Sequence, residues 1–169
     1  MSDTIAAAMI AGIVALIVAG LSNFGAEAYK RHKEMTTIAG GLAGELAVYL
    51  EALPVILSSW GELHRRAAAG ELLIVPKMPM PTNPVFDSCV AKLGMLGADV
   101  AEDVAYVYTT VHAFRGLMAN VHADETTAER QAAAIGGALW AAQRAHDRGR
   151  NLLTKLRRIA KAEFLEIQA

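Results

Sequence analysis

Cysteine is nearly absent from this chain, aromatic residues are few, and neither sign of charge dominates. The one cysteine, Cys89, excludes an intrachain disulfide and agrees with a reducing compartment. Sixteen basic residues against 17 acidic ones leave a formal net charge of −1, which argues against a nucleic-acid partner. Catalytic and cofactor motifs are also missing. His32, His64, His112, His122 and His146 are scattered, with no His-x-x-x-His or Glu-x-x-His pair and no Cys-x-x-Cys, so no metal site is indicated. Gly40-Gly41 and Gly136-Gly137 lie inside helical patterns with no P-loop lysine after them, and no serine sits in a nucleophile elbow. The reading is therefore non-enzymatic, with no cofactor.

The most informative absence is that of charge over residues 4–26, a 23-residue run bounded by Asp3 and Glu27. Roughly 20 apolar residues in a helix cross a bilayer's hydrocarbon core, so this run is expected to be a transmembrane helix. A signal peptide would carry basic residues before its apolar core, whereas here Lys30, Arg31 and Lys33 follow it. By the positive-inside tendency the N-terminus faces out and residues 27–169 form a cytoplasmic domain. Ala7, Ala11, Ala15 and Ala19, with Gly12 beside them, place small side chains along one helix face, where transmembrane helices can approach closely. An apolar helix simply rich in alanine would look the same.

Beyond the run, no stretch alternates with period two for long, and the apolar spacing is helical throughout. Met35, Ile38, Leu42, Leu46, Tyr49, Leu50 and Leu53 form one stripe, and nothing before Leu53 forces a break from the membrane helix. Gly40 and Gly44 lie on the other side. Glycine inside a helix costs up to about 1 kcal/mol against alanine, so these positions indicate either close helix packing or a hinge. Pro54 either kinks this helix or opens a second one, ended by Gly70. Residues 71–84, with four prolines, are expected to be an extended connection lying along the bundle. Helix resumes near Val85 and breaks at residues 94–97. A third helix is expected from an Asp99–Glu102 capping box, with Val100, Val104, Val107, Val111, Phe114 and Met118 inward. Asp103 reads as first-turn charge, and adjacent Glu102 and Asp103 point about 100° apart, so they should not converge. A last helix is expected from a Thr126–Glu129 capping box. Its inner face is Ala134, Ala138, Ala141, Ala145, Leu152, Leu156 and Ile159, and Gly149 on that face requires an unusually close neighbour. The fold class is all-α: an N-terminal transmembrane helix continuing into a four-helix-like antiparallel bundle.

The last helix also concentrates basic charge. Arg144, Arg148, Lys155 and Arg158 share one face, while Arg150, Arg157 and Lys161 share another. These residues, with Lys30, Arg31 and Lys33, could be solvated, could touch anionic headgroups, or could dock an acidic partner. The anchor, LAGELAVYLEALP at residues 42–54 and VFDSCVAKLGMLGADVAEDVAYVYTTV at residues 85–111 resemble uncharacterised bacterial proteins with one N-terminal membrane helix and a small helical cytoplasmic domain. That resemblance implies a single-pass protein of the bacterial inner membrane and carries over no active site. The expected function is a membrane-anchored helical protein that contacts lipid and self-associates, or serves as an accessory subunit of an inner-membrane complex. The alternative is a small membrane effector or signalling protein whose bundle senses a ligand or partner.

Overall fold

The computed structural model describes residues 2–75, 82–121 and 127–162, with side chains described for residues 12–13, 22–75, 82–119, 121 and 127–162. Its first helix, α1 (Ser2–Ala68), is 67 residues long, about 100 Å at 1.5 Å per residue. The apolar run and the main bundle helix are thus one element, long and apolar enough to cross a membrane. Pro54 lies inside α1 rather than opening a new helix. It is exposed, so water can reach the carbonyl whose helical donor it removes. Gly70 stops the helix as expected. At φ +92° it donates to the Ala67 carbonyl at 2.9 Å, and Glu71 N reaches the Arg66 carbonyl at 3.2 Å, a Schellman end. Arg66 and Glu71 also pair through their side chains, with Arg66 Nε 2.7 Å from Glu71 Oε2.

The chain then returns along α1. Leu73 is buried while Leu72 and Ile74 are exposed, so one side of the extended segment docks. Pro76, Met78, Pro79, Met80 and Pro81 lie outside the described residues. Pro84 belongs to the helix that follows, α2 (Pro84–Cys89), as its first residue, where a missing N–H costs nothing. A 3₁₀ helix, Val90–Leu96, replaces the end of the expected α-helix and runs on through residues 94–96, where a break was expected, and Gly97, at φ +87°, turns the chain into α3 (Ala98–Asn120). The N-cap of α3 is Gly97, with no side-chain cap bond. The Asp99–Glu102 box is therefore corrected: Asp99 sits inside the first turn. The last helix, α4 (Ala128–Lys161), is capped by Thr127, whose hydroxyl accepts from Arg130 N at 3.2 Å, one residue later than the expected Thr126 box.

The order is an up-down-up-down bundle whose second member is represented, among the described residues, by α2 and the 3₁₀ helix. α4 is central, packing along both α1 and α3. Two apolar clusters fill it. The lower joins Leu42 and Leu46 of α1, Leu93 and Leu96, Val104 and Val107 of α3, and Leu152 and Leu156 of α4. The upper joins Trp60 and Ala67 of α1, Leu73, Met118 of α3, and Ala134, Ile135 and Ala138 of α4. The inward stripes of α1, α3 and α4 are those the spacing indicates. The α1–α4 seam is tight: a Cβ on Gly149 would stand 3.1 Å from Leu50 Cδ2, and one on Gly136 2.9 Å from His64 Nε2.

Candidate functional site

Polar groups enter this apolar bundle at three places, and long-range partners satisfy most of them. The first lies around the start of α2. No local side chain caps that helix. Glu45 of α1 does so across the bundle, accepting from Val85 N at 2.9 Å and Phe86 N at 3.4 Å. A carboxylate on exposed helix N–H groups is favoured by hydrogen bonding and by the helix dipole. Beside it Tyr108 is 1 % exposed and stacks on Phe86 with centroids 4.2 Å apart. Its hydroxyl has no hydrogen-bond partner among the described residues. Burial first, and the Glu45 carboxylate second, push its pKa far above the usual tyrosine value.

One turn along α1, Tyr49 donates to Asn83 Oδ1 at 2.6 Å. Arg115 donates to the same oxygen at 2.8 Å, and His112 Nε2 lies 3.5 Å from Asn83 Nδ2. Asn83 is 1 % exposed, so this bonding is what makes its burial tolerable. Higher up, buried Gln131 of α4 clamps the returning segment. Its amide nitrogen donates to the Leu73 and Val121 carbonyls at 3.0 and 3.2 Å, and its oxygen accepts from Leu73 N at 2.8 Å.

The third place is the α3–α4 face. Arg148 Nε meets Asp103 Oδ1 at 2.6 Å, its terminal nitrogen meets Glu102 Oε1 at 2.7 Å, and its guanidinium lies 4.3 Å from the Tyr106 ring centre. Lys155 Nζ meets Asp103 Oδ2 at 2.7 Å. Glu102 and Asp103 therefore do converge, contrary to the expectation from their 100° offset, because a long guanidinium on another helix reaches both. Asp103 does not lie in the first turn of α3, where the acid is Asp99, but a turn further on, buried. Burial raises its pKa, and the hydrogen bonds from Lys155 and Arg148 outweigh that and hold it below the usual carboxylate range.

The sequence-derived positions separate accordingly. Arg148 and Lys155 spend their charge inside the fold. Arg144 lies over exposed Trp140, 5.3 Å from the ring centre, and Arg158, Lys30, Arg31 and Lys33 are exposed. Gly40 faces Ala160 of α4 at 3.8 Å from a Cβ position, whereas nothing lies within 4 Å of one on Gly44 or Gly12. The side chains of Ala7, Ala11, Ala15 and Ala19 lie outside the described residues. Among the described residues no group of three His, Cys, Asp or Glu side chains could hold a metal ion. Compared with protein-family models, with curated proteins and with solved structures, the chain matches none.

Cys89 is buried in the lower cluster, and burial first, then Glu45, pushes its thiol pKa up. The thiolate is the reactive form, so the folded protein should react with a disulfide reagent near pH 8 at least about tenfold more slowly than the same protein in denaturant. Equal rates would place Cys89 outside the core.

Proposed function

We propose that the chain is a non-enzymatic membrane-anchored protein that stands on α1 and associates with copies of itself in parallel, as a scaffold or accessory element of an inner-membrane assembly. The observation that carries this reading is the continuity of α1 from Ser2 to Ala68. A helix that enters the bilayer and also forms the bundle wall holds the domain at a fixed rotation relative to the membrane. Within it, Gly44, Val48 and Val55 recur at four- and seven-residue spacing on a side left uncovered by α3 and α4. Val48 is 65 % and Val55 69 % exposed, unusual for β-branched apolar residues in a bundle. A second α1 lying on Gly44 would cover both valines. The same parallel arrangement would bring the alanines of the apolar run together in lipid, where close packing drives association. Symmetric homo-oligomers are the commonest assemblies, and an axis normal to the membrane suits a one-pass chain.

The test is the mass of the full chain in mild detergent, by light scattering or native mass spectrometry. The wild type should be a dimer or higher oligomer. Val48→Glu with Val55→Glu should raise the dissociation constant by about tenfold or more, equivalent to ~1.4 kcal/mol. Ala11→Leu with Ala15→Leu should weaken association independently. A strictly monomeric wild type would sink the reading in favour of docking into a hetero-complex.

A further inference from the structure

The basic residues of α4 are not equivalent. Arg148 and Lys155 are bound to carboxylates of α3, and Arg144 lies over Trp140. Arg150 and Arg157 are different: both line a groove between α1 and α4, and neither has a carboxylate within ion-pair distance among the described residues. They are seven residues apart, so they project from the same face two turns apart, about 10 Å along the axis. Between them lies Thr154, and one turn before them half-buried His146. Ala47, Leu50 and Glu51 of α1 form the opposite wall. The groove holds about 340 Å³, at the small end of ligand-binding pockets.

We infer that this groove binds an elongated phosphate-bearing anion of diphosphate spacing, one phosphate group on each guanidinium. Two unpaired arginines on one wall repel each other, and an anion lying between them removes that repulsion. Guanidinium forks match phosphate oxygens in pairs, which ammonium groups do not. Thr154 Oγ1 donates to the Arg150 carbonyl at 3.2 Å, so its proton is used and its oxygen is left as an acceptor for a ligand hydroxyl. Leu50 and Leu153 supply an apolar floor for the remainder of the ligand. Glu51 opposes the anion across the groove, so it sets an upper limit on affinity and gives the proposal a signature of opposite sign.

The anion is taken from solution, because Glu51 lies about 37 Å of helix beyond the apolar run, and the experiment tests a lipid headgroup as the competing source. Full-length protein in nonionic detergent is titrated with inorganic diphosphate by calorimetry. Arg150→Gln and Arg157→Gln should each weaken binding about tenfold, Arg130→Gln at the far end of α4 should leave it unchanged, and Glu51→Gln should tighten it about threefold. If diphosphate does not bind, the protein is placed in nanodiscs of phosphatidylcholine with and without phosphatidylglycerol. A change in Trp fluorescence that requires the anionic lipid and is lost in the two arginine variants assigns the headgroup as the source. Equal response of wild type and both arginine variants in both arms, or Arg130→Gln weakening binding as much as they do, overturns the site. The readout does not depend on self-association, because every variant's mass is measured in the same detergent.

Discussion

Gly149→Leu should strongly destabilise the bundle by overpacking the α1–α4 seam. Gly149 is buried on α4, and the first atom of any side chain there would already stand 3.1 Å from Leu50 Cδ2 and 3.6 Å from Leu46 Cδ1. A leucine adds three further carbons where α1 has no space to give. Overpacking of this kind costs about 1–3 kcal/mol and sometimes more. Here it acts on the longest helix pair, which runs from Gly40 against Ala160 to His64 against Gly136. We expect about 3 kcal/mol, or a fall in Tm of roughly 6–12 °C for a domain of this size. Gly149→Ala is the informative companion. Alanine regains up to about 1 kcal/mol of helix propensity, and the atom it meets is the far end of a flexible leucine. It should therefore move Tm by only a few degrees in either direction. Thermal circular dichroism of both variants in one detergent decides the matter. A leucine variant as stable as the alanine one would mean that the helices stand further apart than described.

That glycine was legible in the sequence, and so was the seam. Ala134, Ala138, Ala141, Ala145 and Gly149 recur at helical spacing, and only a close neighbour makes such a face worth burying; α1 is that neighbour. The valine stripe of α3 and the Ile38–Leu46 stripe of α1 were legible for the same reason, since periodicity records burial directly. Helix ends were read less well. Asp99 and Thr126 both have capping chemistry, but Gly97 takes the first cap through its positive φ and Thr127 the second. Of the two meanings of Pro54, a kink or a start, the start falls away because α1 runs on through it. What no local pattern could reveal is the polar architecture. Glu45 caps a helix 40 residues away, Asn83 gathers Tyr49 and Arg115, and Gln131 holds a segment 58 residues distant. Each is a single polar residue in an otherwise ordinary stretch, and its partner is fixed only once the helices are placed. The basic face of α4 was visible as charge. Its division into bound Arg148 and Lys155 and, among the described residues, unpaired Arg150 and Arg157 depends on where α3 lies.

Asp103→Ala should cost about 2 kcal/mol and remove an acid-sensitive component of stability. Asp103 is the shared acceptor of two cations, with only 12 % of its side chain exposed. Breaking a buried pair by deleting one member costs about 3–5 kcal/mol when the other is stranded. Neither cation is stranded here. Arg148 keeps Glu102 at 2.7 Å, and Lys155 has Asp99 at 3.9 Å, while both cations remain about one-third exposed. Solvent screening therefore brings the figure down to about 2 kcal/mol. A double-mutant cycle of Asp103→Ala with Lys155→Met should show coupling of roughly 1 kcal/mol, because the two groups touch. The pH dependence follows from the direction of the shift. The folded carboxyl titrates below the ordinary aspartate value, so the folded state holds its proton less readily than the unfolded chain. Its stabilisation is fully present above the unfolded value and is lost as pH falls through that value and then through the folded one. Between about pH 5 and pH 3 the wild type should lose Tm faster than Asp103→Asn, which has the same shape and no charge to protonate. The two curves should lie far apart at pH 7 and draw together in acid. Parallel curves over that range would show that the Arg148–Asp103–Lys155 cluster contributes nothing to stability, and that α3 is held to α4 by its valines alone.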